Sequence, residues 1–399
     1  MLISQSPPLH LTYCLNIHPG ETWSENFNAI KTHALKVRNL IAPDRQFGLG
    51  LRLSRRATDH LRQAGPCADF RRFLEANNLY VFTINGFPYG PFHGTAVKTA
   101  VYLPDWRTAE RLEYTVALAD ILAELVPEGV DGSISTVPGA YKEQVCAEAD
   151  VRVMVENLAA CAAHLHNLRA RTGREIHIGL EPEPDCCLET TPEVIAFFEG
   201  PLAQWGVPHL ASRLGCGRSE AERVLRRHVG VCFDTCHLAI QFEQPAASLR
   251  ALEAHGVRVS KMQISAALRV VPPPAALLRL REFVDPVYLH QVKVRRGSEA
   301  PVSFPDLPAA LAAAAGGPPA EWRIHFHVPL YFQGDAELQS TATVLDEAFF
   351  REVQRGRISH LEIETYTFHV LPQSLRTPDV TQSIAREFAW VVPRLTRAP

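Results

Sequence analysis

Five apolar runs of the chain end at side chains that can bind a metal ion. A β-strand that is covered on both faces has a continuous hydrophobic sequence, as the strands of parallel sheets do. Each run therefore predicts a buried parallel strand, followed by a polar residue where the chain leaves the sheet. The runs are Ile176–Leu180 before Glu181, Val229–Phe233 before Asp234 and His237, Val257–Met262 before Gln263, Arg323–Phe326 before His327, and Ile358–Ile363 before Glu364.

Predicted strands alternate with amphipathic helices along the chain. Besides the five runs, strands are predicted at Leu9–Ile17, Phe47–Leu53, Leu79–Ile84 and Gly132–Thr136, and the late strands extend over Val257–Ile264 and Ile358–Thr365. Apolar spacings of three and four residues predict helices at Thr22–Leu40, Ala57–Asn77, Thr108–Leu125, Ala147–Thr172, Pro192–Glu199 and Ser219–His228. This alternation implies an α/β fold with a parallel sheet, and eight units favour a closed (β/α)8 TIM barrel. No G-x-G-x-x-G motif follows the first strand, which argues against an open dinucleotide-binding sheet.

The excess length lies between predicted strands seven and eight. This stretch, Ala266–Gly356, contains Pro272-Pro273-Pro274 and the Ala/Pro-rich segment Pro301–Pro319, and it has further apolar runs at Tyr288–Val294 and Trp322–Phe326. We interpret it as an insertion on the carboxyl-terminal rim of the barrel. The prediction is therefore a single domain over residues 1–399, with the insertion inside 266–356.

In a (β/α)8 barrel the carboxyl ends of all strands meet at one rim, where such barrels carry their chemistry. The polar residues after the late strands would then converge on one pocket, although they are far apart in sequence. The predicted metal ligands are Glu181, Asp234, Gln263, Glu364 and His327. Carboxylate and imidazole ligands predict a divalent cation, which could be Mn, Zn, Mg or Co.

Each candidate ligand also has a structural interpretation. Glu181 and Glu183 could belong to an acidic surface loop, and Asp234 could cap the helix that follows it. Gln263 could be a ligand or only a hydrogen-bonding group within a strand. His325 precedes His327 on the same face of its strand and could simply be packed. Because Glu362 and Glu364 alternate along the last strand, only Glu364, nearer the carboxyl end, is expected to reach the metal.

Composition and missing motifs restrict the function. The net charge of −3 gives no electrostatic footprint for nucleic acid. No apolar run approaches the ~20 residues of a membrane span, and the N-terminus lacks a signal-peptide pattern. Nine cysteines, an odd number, favour a reducing compartment, so a cytoplasmic location is expected. A zinc site at Cys232-x3-Cys236 is disfavoured, because Cys232 lies inside a predicted strand.

The sequence contains no G-x-S-x-G elbow, which argues against hydrolysis by a serine nucleophile. It also contains no G-x-x-x-x-G-K-[ST] loop, which argues against nucleotide hydrolysis. The loops after the predicted strands carry polar side chains that could instead hold a hydroxylated substrate. The candidate substrate contacts are His18, Asn85, His93, Lys142, Glu183 and His237. A small-molecule metabolite is therefore the expected partner.

The order Glu, Asp-x-x-His, polar residue, Glu on successive late strands resembles the xylose isomerase-like barrel superfamily. That superfamily includes ketose 3-epimerases, hydroxypyruvate isomerase and endonuclease IV. The chain most closely resembles the EboE branch, known as metabolite traffic proteins. The segments Leu11–Trp23, Phe233–His237 and Leu361–Pro372 carry this likeness.

The resemblance implies that Glu181, Asp234 and Glu364 are metal ligands and that His237 contacts the substrate or a second metal. In the epimerases the strand-seven ligand is a histidine, where this chain has Gln263. The endonuclease IV pattern has Asp-x-His after strand seven where this chain has His325-Phe326-His327, so His327 could compensate. In the sugar isomerases two carboxylates exchange a proton with a hydroxyketone. The resemblance thus implies catalytic roles for Glu181, Glu364 and His237.

Three functional hypotheses follow. The first is a metal-dependent isomerase or epimerase of a hydroxylated or keto small molecule in a secondary-metabolite export pathway, with proteins of the same operon as possible partners. The second is a catalytically silent barrel that binds a metabolite and hands it on. The third is a metal-dependent phosphodiester hydrolase, for which we expect a basic groove that this composition does not show.

Overall fold

Eight parallel strands form the barrel. The computed structural model describes residues 1–94, 96–271, 274–314 and 320–397. Pro272 and Pro273, and the end of Pro301–Pro319 from residue 315 onward, lie outside the described residues.

The strands of the described residues are β1 Leu2–Gln5, β2 Pro8–Tyr13, β3 Phe47–Arg52, β4 Leu79–Asn85, β5 Gly132–Thr136, β6 Ile176–Leu180, β7 Val229–Asp234, β8 Val259–Ile264, β9 Ala267–Val270, β10 Val292–Arg295, β11 Val302–Phe304, β12 Glu321–His327, β13 Gln339–Ser340 and β14 His360–Ile363.

Helices follow most of the barrel strands and cover the sheet from outside. The α-helices of the described residues are α1 Trp23–Ala29, α2 Leu35–Ile41, α3 Arg55–Leu61, α4 Pro66–Ala76, α5 Ala109–Leu125, α6 Glu148–Thr172, α7 Thr191–Phe197, α8 Val207–Leu214, α9 Arg218–His228, α10 Thr235–Ile240, α11 Pro245–Ala254, α12 Pro274–Leu280, α13 Leu307–Ala313, α14 Glu347–Gln354 and α15 Val380–Thr396. No helix of this described part is both long and apolar enough to cross a membrane.

The barrel strands follow the order β2–β14–β8–β7–β6–β5–β4–β3, and every pair in this series is parallel. A parallel bridge between Cys14 and Gly50 joins the two ends of the series. The Thr12 hydroxyl also donates to the Gly48 carbonyl (2.7 Å) across the same gap. The (β/α)8 barrel predicted from the sequence is therefore confirmed.

Local sequence explains where the predicted elements differ from the observed ones. The strand predicted over Leu9–Ile17 corresponds to β2, which ends at Tyr13, and Leu15–Ile17 forms a 3-10 helix. The helix predicted over Ala57–Asn77 is two helices, because Gly65 adopts φ 107° and Pro66 starts the second helix without needing an N–H partner.

A second sheet lies between β8 and β14. Its antiparallel order is β11–β10–β12–β9–β13, so all five strands come from the stretch Ala266–Gly356. The interpretation of Arg323–Phe326 as a parallel barrel strand is wrong, because this run lies in β12 of the antiparallel second sheet. Its end nevertheless reaches the carboxyl-terminal end of the barrel, where His327 lies beside Asp234 and His237. Most of β12 is buried. Its continuous apolar sequence therefore looks like that of a parallel barrel strand. The single-domain organisation stays a prediction.

A buried ion pair fills the barrel interior. Lys261 of β8 and Glu362 of β14 pair there, and both side chains are fully buried. A Cβ at Gly50 would overlap the Oε1 atom of Glu362. The glycine on β3 therefore leaves the space that this carboxylate occupies. Separating such a pair would leave uncompensated buried charge, which destabilises the folded state strongly.

We expect Gly50→Ala to lower the free energy of unfolding by about 3 kcal/mol, because the methyl group would push Glu362 away from Lys261. Urea unfolding followed by circular dichroism measures the effect. Gly200→Ala is the matched control, since no atom lies within 4 Å of its added Cβ. Equal stability of the two variants would contradict the role assigned to the ion pair.

Candidate functional site

Three carboxylates meet at the carboxyl-terminal end of the barrel. Glu181 follows β6, Asp234 ends β7, and Glu364 follows β14. Their ligand oxygens lie within 4.8 Å of one another, and all three residues are buried. Pro182 has no N–H to continue the strand, so Glu181 stands where the backbone leaves the sheet. The structure thus brings together three predicted ligands from three separate strands.

Asp234 caps helix α10 with only one of its oxygens. Oδ1 accepts the backbone N–H groups of Cys236 (2.7 Å) and His237 (3.1 Å) and the hydroxyl of Ser265 (2.7 Å). Oδ2 has no hydrogen-bond partner among the described residues. The capping and metal-binding interpretations of Asp234 are therefore compatible, because they use different oxygens.

The other two carboxylates are also only partly satisfied. Oε1 of Glu364 accepts the side-chain amides of Asn16 (2.8 Å) and Asn85 (3.1 Å). Oε2 of Glu181 is buried without a hydrogen-bond partner in the described part of the chain. Leaving a buried carboxylate oxygen unpaired costs free energy. A bound cation would remove that cost.

The site is electrostatically unbalanced without a cation. Burial raises the pKa of Glu181 well above its ordinary value, and the Asp234 carboxylate raises it further. The pKa of Glu364 is also raised well above normal, by burial and then by Glu181 and Asp234. Burial would raise the pKa of Asp234 too, but His237 and His327 outweigh it, and that pKa is lowered. Three carboxyl groups in this space cannot all ionise unless positive charge offsets them.

Three histidines point their Nε2 atoms into the same region. Their Nδ1 atoms face oxygen acceptors: Pro182 O for His237 (3.0 Å), Gln291 Oε1 for His325 (2.7 Å) and Glu364 O for His327 (3.1 Å). An oxygen acceptor requires the N–H on Nδ1, so the neutral ring has its lone pair on Nε2. The Nε2 atoms of His237 and His325 lie 3.1 Å apart. Nε2 of His327 has no partner among the described residues.

Gln291 fixes the orientation of His325. Its amide N–H groups donate to the Tyr102 hydroxyl (2.9 Å) and the Pro184 carbonyl (3.1 Å), so its amide oxygen faces the imidazole. The Tyr102 hydroxyl donates in turn to Glu183 (2.8 Å). Burial raises the pKa of Glu183 to about 7, which suits a group that exchanges protons near neutral pH.

These residues fit a divalent metal. Metal-binding histidines usually donate their second ring N–H to a carbonyl or carboxylate, as these three donate to oxygen acceptors. Carboxylates alone suit Mg²⁺, whereas imidazoles with carboxylates suit Zn²⁺, Mn²⁺ or Co²⁺. The candidate ligand groups at this end are Glu181/Asp234/Glu364, Asp234/His237/His327, Glu183/His237/His325 and Cys236/His325/His327.

A pocket with a cavity volume of about 60 Å³ opens beside Glu181 and Glu364, and Asp234 is not among its lining residues. Its polar floor contains Asn16, Asn85, Glu181, Glu183, His237, His325 and Glu364. Its walls are largely apolar or aromatic: Phe87, Pro88, Phe92, Val97, Val101, Tyr102, Tyr288, Leu289 and Tyr366. Such a lining suits a small ligand with a polar end on the floor and an apolar end against the walls.

The predicted substrate contacts divide into two groups. Asn85, Glu183 and His237 line the pocket, but His18, His93 and Lys142 are not among its lining residues. His18 hydrogen-bonds the Tyr13 hydroxyl (3.0 Å) and stacks on His33, and both ring nitrogens of His93 are engaged. Lys142 is half exposed and pairs with Glu189 and Glu193. A substrate-binding role for these three residues stays a prediction.

Gln263 lies buried in β8 beside Asp234 of β7. Its amide oxygen accepts the Cys232 thiol (3.0 Å), and its Nε2 atom has no partner in the described structure. Cys232 is therefore engaged within the barrel, in keeping with its predicted place in a strand. The ligand role of Gln263 stays a prediction.

Some residues of the site could not be recognised in the sequence. His325 was open to interpretation as a packed side chain, but it lines the pocket and contacts His237. Gln291 lies outside any motif, and Asn16 follows the first strand without a distinguishing pattern. The one available signal was the alternation in His325-Phe326-His327, which places both imidazoles on one face.

Comparison with known proteins shows the fold. No family model matches this chain, and no curated protein matches it in sequence. A xylose isomerase-like TIM barrel protein from Mycobacterium smegmatis, solved in complex with magnesium, is 12% identical with a TM-score of 0.52, covering 99% of each chain. The IOLI protein with a bound zinc atom is 10% identical (TM-score 0.49, covering 98% of this chain and 100% of that one). The probable 3-DHS dehydratase AsbF of Bacillus anthracis is 11% identical (TM-score 0.47, covering 98% and 100%). The first of these likenesses shows that this chain has a TIM-barrel fold.

We expect Glu181→Gln and Asp234→Asn each to remove most of the Mn²⁺ that the purified protein binds at its carboxyl-terminal end, because each loses an anionic oxygen with no other partner. Glu183→Gln should retain much more metal. Elemental analysis after dialysis measures the content. An equal loss in all three variants would show that the ligands are assigned wrongly.

Proposed function

We propose that this protein is a metal-dependent enzyme that isomerises or epimerises a hydroxylated or keto small molecule. The observation that supports the proposal best is the convergence of Glu181, Asp234 and Glu364 in one buried group, two members of which, Glu181 and Glu364, line a pocket. Burial and the neighbouring carboxylates raise the pKa values of Glu181 and Glu364, because both effects disfavour the charged form of a carboxyl group.

A divalent metal is proposed to bind Glu181, Asp234 and Glu364, with His327 and Gln263 as further ligands. When bound, such an ion polarises a carbonyl or hydroxyl oxygen and stabilises the negative charge that develops there. Mn, Zn, Mg and Co all remain candidates for this site. His237 and His325 would hold a substrate hydroxyl or a second ion, because their Nε2 lone pairs face each other.

The proposed proton transfer uses the carboxyl groups of Glu181 and Glu364. One of them takes the proton from the carbon next to the carbonyl, and the C–H electron pair moves into an enediolate. In an isomerisation the other carboxyl group returns a proton to the former carbonyl carbon, and the proton of the neighbouring hydroxyl passes to the former carbonyl oxygen. In an epimerisation the other carboxyl group returns the proton to the opposite face of the same carbon. Asn16 and Asn85 hold Glu364 in place through its Oε1 atom.

The pocket favours an uncharged substrate with an apolar portion. Lys98 is the only basic residue other than histidine among the described lining residues. Its ammonium group is already held by the Asp285 and Tyr288 carbonyls and the Asp306 carboxylate. Apart from the proposed metal ion, a phosphate or carboxylate on the substrate would therefore find acidic side chains and no free basic side chain.

A role in secondary-metabolite export, as in the EboE-type metabolite traffic proteins, is proposed on the likeness of Leu11–Trp23 and Leu361–Pro372. Within these segments, Leu11–Tyr13 pairs with Leu361–Ile363 along β2 and β14. Both segments therefore belong to one part of the barrel, beside Glu364. In this proposal the protein is cytoplasmic, works with proteins of the same operon and binds no nucleic acid.

Solvent hydrogen exchange tests the chemistry without knowledge of the product. We expect the Mn²⁺-loaded protein to catalyse deuterium incorporation from D2O next to the carbonyl of a hydroxyketone, and Glu364→Gln to slow it about 100-fold or more. Proton NMR over a panel of ketoses and hydroxyketones measures the exchange. Glu282→Gln serves as the control, because Glu282 is exposed and does not line the pocket.

A panel member that raises the melting temperature without any deuterium exchange would contradict the enzyme proposal. It would support a catalytically silent barrel that binds a metabolite and hands it on.

Substrate charge gives a separate prediction. A neutral hydroxyketone with an alkyl or aryl substituent should bind about tenfold or more tightly than its phosphorylated counterpart, because the pocket offers apolar walls and no free basic side chain for the phosphate. Isothermal titration calorimetry with matched pairs of compounds measures the difference. Tighter binding of the phosphorylated member would contradict this view of the pocket and favour the phosphodiester alternative.

A further inference from the structure

A second group of metal-binding side chains lies at the opposite end of the barrel. Asp131 immediately precedes β5, His177 is the second residue of β6, and His360 begins β14. One ligand atom from each lies within 4.8 Å of the others. These are the amino-terminal ends of the strands, so this group is separate from the pocket that contains Glu181 and Glu364.

The hydrogen bonds around His360 leave its Nε2 atom unprotonated in the neutral ring. Nδ1 lies 2.8 Å from the Ser133 hydroxyl oxygen, and that hydroxyl donates its own hydrogen to Thr83 (2.9 Å). Ser133 can therefore only accept from His360, which places the N–H on Nδ1. Nε2 has no hydrogen-bond partner in the described structure, although it lies 3.2 Å from Oδ1 of Asp131. The Nε2 lone pair of the fully buried His360 ring thus faces a carboxylate oxygen of Asp131.

His177 and Asp131 are joined by a hydrogen bond, because a carboxylate oxygen only accepts and the N–H of the His177 ring must therefore lie on Nε2. Binding of an ion at this nitrogen would replace that bond and move the proton to Nδ1, which is buried and has no hydrogen-bond partner among the described residues. Nε2 of His177 is 2.9 Å from Oδ2 of Asp131.

The surroundings hold this group in place. Arg258 donates to Oδ2 of Asp131 (2.9 Å) and to Glu175 (3.0 Å), which offsets part of the guanidinium charge. The Asp131 side chain is 27% exposed, so solvent reaches one side of the group, whereas both imidazoles are fully buried. Ser133 orients His360 as an outer partner orients a metal-binding histidine.

We propose that Asp131, His177 and His360 form a second divalent metal site that takes Zn²⁺ and closes the amino-terminal end of the barrel. Two imidazole nitrogens and a carboxylate are a common ligand set for zinc. The ion would supply positive charge to the Nε2 lone pair of His360 and to Oδ1 of Asp131, which face each other. The other oxygen of Asp131, Oδ2, is the one that Arg258 contacts. The ion would also link β14 to β5 and β6 across the barrel, since β14 is not a neighbour of either strand in the sheet.

Cobalt titration in an Asp234→Asn, His325→Gln background tests the site, because each candidate ligand group at the carboxyl-terminal end contains one of these two residues. We expect one equivalent of Co²⁺ to bind and to give visible absorption bands of a nitrogen- and oxygen-ligated ion. Adding His360→Gln should abolish this binding. His164→Gln should leave it unchanged, since His164 forms a similar pair with Asp120 (2.7 Å) without a third ligand.

Ser133→Ala provides a variant that keeps all three ligands. Loss of the acceptor for His360 should weaken Co²⁺ binding about tenfold or more. Circular dichroism without metal establishes that each variant is folded. Unchanged Co²⁺ stoichiometry when folded His360→Gln or His177→Asn is added, or no Co²⁺ in the Asp234→Asn, His325→Gln background alone, would overturn the proposal. If the wild-type protein binds metal at only one end of the barrel, the empty end shows which of the two proposed sites has failed.

Discussion

The repulsion between three carboxyl groups that share one buried space is the constraint around which the carboxyl-terminal end is organised. Glu181, Asp234 and Glu364 come from three different strands, and closure of the barrel forces their oxygens within 4.8 Å of one another. Water cannot solvate them fully there, so some positive charge or shared proton has to compensate. The barrel keeps the arrangement because each residue is fixed at a strand end by backbone pairing.

The nearby residues do not supply that compensation. Lys261 lies beneath the site, but its charge is already paired with Glu362 inside the barrel. The Nδ1 atoms of His237, His325 and His327 face oxygen acceptors, so their Nε2 atoms face the same region. Burial lowers the pKa of His327 to about 4, which keeps it uncharged at neutral pH. The remaining charge is therefore negative, and a cation is the simplest partner for it.

The second sheet completes the site in a way that the barrel alone could not. β12 supplies His325 and His327, and Gln291, just before β10, orients one of them. The insertion between β8 and β14 thus contributes directly to the pocket floor. The same stretch also contributes Tyr288 and Leu289 to the walls of the pocket.

The sequence predicted the barrel because each strand is a short apolar run with a clear end. β5 and β6 match their predicted bounds, since Pro182 follows Glu181 and a polar or glycine-containing segment precedes each strand. Asp234 and Glu364 were predictable for the same reason. The antiparallel pairing of β12 was not, because a strand buried on both faces has the same pattern in either kind of sheet.

The contacts of individual polar residues were also beyond the sequence. His18 and His93 follow strands, as ligands do, yet their ring nitrogens are satisfied by Tyr13, Asn16 and Tyr288. The hydrogen-bond partner decides whether a histidine is structural or faces the pocket. That partner is set by tertiary packing, which periodicity does not reveal.

Anomalous X-ray diffraction on crystals of the Mn²⁺-loaded protein, collected on both sides of the manganese absorption edge, tests the central claim most directly. The account predicts an anomalous peak about 2.0–2.6 Å from oxygens of Glu181, Asp234 and Glu364. Carboxylates that lie apart around no peak, with manganese absent or bound only elsewhere, would contradict it.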